Sequence, residues 1–162
     1  MTKYDLSTEL NNYKTEYNKY SQKVDDYSNA IKSFQEYQHY FSSRATKCKN
    51  KKNIYSTLLA ISLPVSILLA LFSFPLATIV FALTVGFTER TMFYNKIFKK
   101  FDHCSNYMQN IVTNLTNKQN TYIENKNLTM DKIIAINNIL LSSKTNSSSH
   151  TASTEEELNY SI

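Results

Sequence analysis

The side chains able to do chemistry are few and scattered. Three histidines, His39, His103 and His150, stand far apart and form no HxxxH or HExxH pair. Cys48 and Cys104 show neither a CxxC nor a mixed Cys/His spacing, so they offer no zinc ligand set and too few thiols for a disulfide framework. Free thiols in a reducing compartment are expected. Asp25, Asp26 and the run Glu155 to Glu157 read as solvated charge. There is no nucleophile elbow, and one Gly in the whole chain cannot build a phosphate-cradling loop. The pattern predicts no enzyme, no metal and no cofactor. The opening Met1 to Leu6 has no apolar core segment, so no cleavable signal peptide is expected.

The elements follow from the same scarcity. Among 162 residues, 42% apolar and with net charge +5, there are two Pro and the single Gly, too few for the turns of a many-stranded β fold. Long helices are predicted, and an all-α class. From Asn53 to Thr88 no residue carries a formal charge, and Ile54 to Phe87 holds 19 Leu, Ile, Val or Phe. At about 0.3–0.6 kcal/mol each near a bilayer centre, those side chains favour insertion by about 6–11 kcal/mol. One helix through the run would be about 51 Å long, well beyond a hydrocarbon core of about 30 Å, so the run must fold back. Ser73 as N-cap and Pro75 in the next first turn place the bend, giving a transmembrane hairpin over 54–93 with spans near 54–72 and 75–93. Pro64 predicts a kink in the first span, with Ser62 and Ser66 available to the carbonyls it frees. The apolar turn leaves open whether the tip crosses fully or re-enters.

Basic residues flank both ends of the run: Arg44, Lys47, Lys49, Lys51 and Lys52 before it, Arg90, Lys96, Lys99 and Lys100 after it. By the positive-inside rule both termini are cytosolic, and these nine side chains are the expected lipid-headgroup contacts. No nucleic-acid reading motif accompanies them, so nucleic acid is not an expected partner.

Residues 1–53 carry apolar positions in steps of four and three at Leu6, Leu10, Tyr13, Tyr17, Tyr20, Val24, Tyr27, Ile31, Phe34, Phe41, Ala45 and Cys48, interrupted by Gln38. This is a coiled-coil stripe. Over 94–127 the spacing recurs at Ile97, Phe101, Cys104, Met108, Ile111, Leu115 and Tyr122, broken by Lys118. Folding about residue 73 or 74 sets residues totalling about 147 side by side, so Ala45 lies near Asp102. Asn114, Asn117, Asn120, Asn125 and Asn127 should fray the second helix near 125. That would leave Leu6, Leu10, Tyr13, Tyr17 and Tyr20 uncovered, to be met by a third element or by another subunit in a homo-oligomer. Thr129 reads as the N-cap of that element, a short amphipathic helix over 128–143. The Ser/Thr/Glu-rich segment 144–162 reads as a disordered tail.

The helix from Phe34 through Tyr37, Tyr40 and Arg44 to Cys48, the motif Ser62-Leu-Pro-Val-Ser66, and the helix Phe101 to Leu115 resemble the SLATT families. These are two-transmembrane effector domains associated with SMODS nucleotidyltransferases and SLOG sensors. The last helix is similar to the family's post-membrane helix at His103, Tyr107, Ile111 and Leu115. The resemblance implies a pore-forming membrane effector gated by a nucleotide-sensing partner. The architecture also resembles chlamydial inclusion-membrane proteins, with a hydrophobic hairpin and cytosolic coiled-coil ends. Two functions are therefore carried forward: an oligomeric protein that perturbs or permeabilises the bilayer, and a membrane-anchored coiled-coil scaffold or tether that recruits a cytosolic protein.

Overall fold

The computed structural model describes the backbone of residues 3–158 and the side chains of 4–143. The protein is all-α: helix α1 runs Lys3–Phe72, helix α2 runs Phe74–Leu158, and the two pack as a hairpin. Ser73 alone separates them. Its N–H still donates to the Leu69 carbonyl at 2.7 Å, as the last bond of α1, while its carbonyl accepts the Ala77 N–H at 3.1 Å, as the first bond of α2. The predicted bend is thus in place, with Pro75 in the first turn of α2, where its missing N–H costs no helical bond.

Helix α1 matches the expected N-terminal helix running on into the first span, whereas α2 is longer than the sequence pattern suggested. Segment 128–143 is no separate third helix but a continuation of α2, and the predicted fraying near 125 does not occur. Thr129 is no N-cap: it is buried, and its hydroxyl donates back to the Asn125 carbonyl at 2.8 Å. The reason is packing. Asn114, Asn117 and Asn120 point to solvent, where they compete weakly for the backbone, while Leu115 and Tyr122 hold the inner face. After Gly86 no Gly or Pro interrupts α2, which also takes in 144–158 of the expected disordered tail. Side chains from 144 onward, and residues 159–162 altogether, lie outside the described residues.

The chain divides into two compact units, one of Ile31–Asn114 and one pairing Met1–Ala30 with Leu115–Ile162. In the paired-arm unit, Leu10, Ile133 and Ile136 form a core at 7–8% exposure, and Leu6, Tyr13, Tyr17 and Leu140 pack on it. Lys132 Nζ lies 5.1 Å above the Tyr13 ring and Lys126 Nζ 5.4 Å above that of Tyr17. Tyr122 stacks on Tyr27 at 5.5 Å and leans on Tyr20 at 6.3 Å. The polar break at Lys118 is bridged by its neighbour Gln119, whose side-chain amide donates to the Val24 carbonyl at 3.2 Å and to Ser28 Oγ at 2.6 Å.

In the other unit the helices run antiparallel, with Phe41 facing Phe101 and Tyr55 stacked on Tyr94 at 5.6 Å. These pairs stay within about one and a half helical turns of the expected register. Gln38, which broke the apolar series, still sits half-buried in it. The α2 stripe is shifted by one residue at alternate steps. Ser105 and Val112 are buried where Cys104 and Ile111 were expected, and those two flank the seam half-buried. A 3.5-residue spacing leaves adjacent positions hard to tell apart, and the small Ser105 can sit where the helices come close.

Candidate functional site: the apolar hairpin and its basic collar

The uncharged run forms the closed end of the hairpin in unit 31–114. Its polarity is inverted relative to a soluble core. The seam holds small residues: Ser62, Ser66, Ala77 and Thr84 are buried. The large side chains Ile54, Ile61, Ile67, Leu68, Leu71, Ile79, Phe81 and Leu83 face outward. Each helix carries an 18-residue stretch long and apolar enough to cross a membrane, and only 6% of that stretch in α1 and 11% in α2 is buried within the protein. A core helix of a soluble protein passes the same length test, but it does so mostly buried.

The seam hydroxyls satisfy one another. Thr84 Oγ1 lies 3.0 Å from Ser62 Oγ and 2.9 Å from the Val80 carbonyl. Ser62 Oγ donates to the Leu59 carbonyl at 3.2 Å, and so can accept the Thr84 proton. Small hydroxyl residues at such a contact let backbones approach and link the helices where water is absent. Ser66 Oγ donates to the Leu63 carbonyl at 2.8 Å. Neither serine reaches Ala60, whose carbonyl loses its helical donor at Pro64, and α1 runs on as helix through that proline. No buried side-chain N or O lacks a partner among the described residues.

Two substitutions test this seam. Thr84→Val and Ser62→Ala, alone and together, should show a coupling of about 0.6 kcal/mol in a double-mutant cycle of unfolding in mixed micelles. Gly86 is half-buried on a helix, and a Cβ added there meets nothing within 4 Å. Gly86→Ala should therefore stabilise the hairpin by up to about 1 kcal/mol, read as a rise in the same unfolding midpoint.

The basic collar follows directly. Arg44, Lys47, Lys49, Lys51, Arg90, Lys96, Lys99 and Lys100 are exposed, and Lys52 is half-buried. None of the nine has an ion-pair partner among the described residues. Arg44 sits 5.3 Å above the Tyr40 ring and Lys51 Nζ 5.4 Å above that of Tyr94. Tyr55, Phe93 and Tyr94 gather at this level, where membrane helices collect amphipathic aromatics.

The remaining sequence-derived residues fall as follows. Pro64 lies on the outward face and Ser73 at the bend. Of the two expected covers for the five-position stripe, segment 128–143 and another subunit, the first is in place: Leu6, Leu10, Tyr13 and Tyr17 pack with Ile133 and Ile136, and Tyr20 meets Tyr122. The argument for self-association drawn from an uncovered stripe falls away. His103 and Tyr107 are exposed, while Ile111 and Leu115 are half-buried. Cys48 and Cys104 are free thiols, both half-buried. His39 is exposed, and among the described residues no three His, Cys, Asp or Glu side chains gather where they could hold a metal. Sequence reasoning took Ser62 as a relief for Pro64 and as part of the Ser62-Leu-Pro-Val-Ser66 motif, and passed over Thr84. Their signal was hydroxyls at helical spacing inside an apolar run.

Compared with known proteins, the chain matches no family model, no curated protein and no solved structure.

Proposed function

We propose that the protein is a two-span membrane anchor carrying a cytosolic two-helix stalk, a tether or scaffold that presents the stalk to a protein partner. The observation that supports this most is the inverted hairpin, with hydroxyls in the seam and bulky hydrocarbon outside. Spans of about 28 Å fit the hydrocarbon thickness with both ends on the basic side. The recruiting surface on this reading is the outer face of α2, where Ile123, Met130, Ile134 and Leu141 are exposed. The pore-forming reading implied by the SLATT resemblance is the weaker of the two. From Asn53 to Thr88 no residue carries a formal charge, the seam hydroxyls of Ser62 and Thr84 are bonded to each other, and a conducting path needs a polar lining.

Reconstitution separates the two. The full chain in liposomes loaded with a self-quenching dye should resist alkaline carbonate extraction and release no dye at any protein density. Release that rises with density would overturn the anchor reading in favour of a pore.

A further inference from the structure

The collar is not evenly built. One face of α1 brings Arg44, Lys47 and Lys51 together, and an opposing face of α2 adds Tyr94, Ile97 and Phe101. The cations are spaced i, i+3 and i+7, one helical stripe. Together these residues line an open cleft of about 430 Å³, within the size range of small-ligand sites.

Two of the three cations lie over aromatic rings, Arg44 over Tyr40 beside the cleft and Lys51 over Tyr94 within it. Holding them costs the cleft mutual repulsion, because no carboxylate among the described residues pairs with any of the three. An anion in the cleft would relieve that repulsion and accept charge-assisted hydrogen bonds from all three. The cleft's depth selects among anions. Lys51 precedes the first apolar residue, Ile54, by three positions, about 5 Å along the helix, which sets it at headgroup level, with Lys47 and Arg44 about 6 and 10 Å farther out along α1.

We propose that this cleft binds the phosphodiester of an anionic phospholipid, with Arg44, Lys47 and Lys51 as donors. The proposal rests on the membrane-hairpin reading and gives its collar a ligand. It separates one built site from the general attraction of basic residues for a charged surface. Lys96, Lys99 and Lys100 supply the same formal charge from outside the cleft and serve as the control.

The test uses the full chain reconstituted in phosphatidylcholine containing a minor fraction of phosphatidylglycerol, then extracted in mild detergent and washed. Retained phosphatidylglycerol is counted per chain. About one per chain is expected for the unaltered protein, falling about tenfold in R44Q/K47Q/K51Q and unchanged in K96Q/K99Q/K100Q. Millimolar inorganic phosphate should not displace it. Equal loss in both triple variants would overturn the site in favour of a diffuse field, and displacement by phosphate would overturn the lipid assignment in favour of a free-anion site. Retention unchanged in R44Q/K47Q/K51Q also overturns it. Carbonate extraction of the same vesicles reads the membrane anchor separately: a chain washed out fails the hairpin reading, whereas one that stays embedded but shows no selective loss fails only the cleft. Circular dichroism of each variant guards against unfolding.

Discussion

Replacing Ile61 and Leu83 by arginine should move the chain from the carbonate-resistant membrane fraction into the extractable one. Both side chains face outward, at 58% and 53% exposure, and they sit at similar distances from the bend. Each arginine at the middle of a span costs about 2.5–3.5 kcal/mol on the insertion scale and removes a favourable residue as well. The pair offsets most of the roughly 6–11 kcal/mol that the apolar run supplies. The opposite expectation is as definite: on the surface of a soluble protein, two exposed apolar residues changed to arginine would leave the fold intact and raise its solubility. Arginine at Tyr37 and Tyr107, both exposed and outside the run, should leave partitioning unchanged.

Cutting into the core of the paired arms should open that unit without disturbing the hairpin. Ile136→Ala should cost about 2–3 kcal/mol, the low end for a buried aliphatic because the site is small and partly open. Ile136→Asp should cost more, since it also places an unpaired carboxylate between Leu10 and Ile133. Limited proteolysis combined with hydrogen exchange is the measurement. Residues 4–30 and 115–143 should lose protection while 54–93 keep theirs, as expected of separate compact units. Loss of protection along the whole chain would show the two units to be one cooperative structure.

Much of this was legible in the sequence, for particular reasons. The bend at Ser73 could be read because a cap residue and a proline coincide in an uncharged run too long for one span. The α1 stripe could be read because Leu, Tyr and Ile mark it at nearly every step, and every position the spacing named is buried or half-buried. In α2 the marking is weaker. Ser105 and Gln119 occupy seam positions that apolar counting cannot see, so the stripe came out one residue off at alternate steps. The continuous helix past residue 127 was hidden for a different reason. Asparagine propensity argued for a break, and only the partner helix, by burying Thr129, Ile133 and Ile136, holds that segment helical. The Ser62 to Thr84 contact is hidden in the same way, because the two lie 22 positions apart and meet only once the register is fixed.

The central claim is that the hairpin crosses the bilayer and exposes its tip on the far side from both termini. A single cysteine at the bend, Ser73→Cys with Cys48→Ser and Cys104→Ser, tests it in sealed vesicles with a membrane-impermeant maleimide. Labelling when the reagent is on the side opposite the termini, and none when it is on the same side, is the predicted result. Labelling only after detergent would show a tip buried in the bilayer, and labelling from the side of the termini would show that the run does not cross at all.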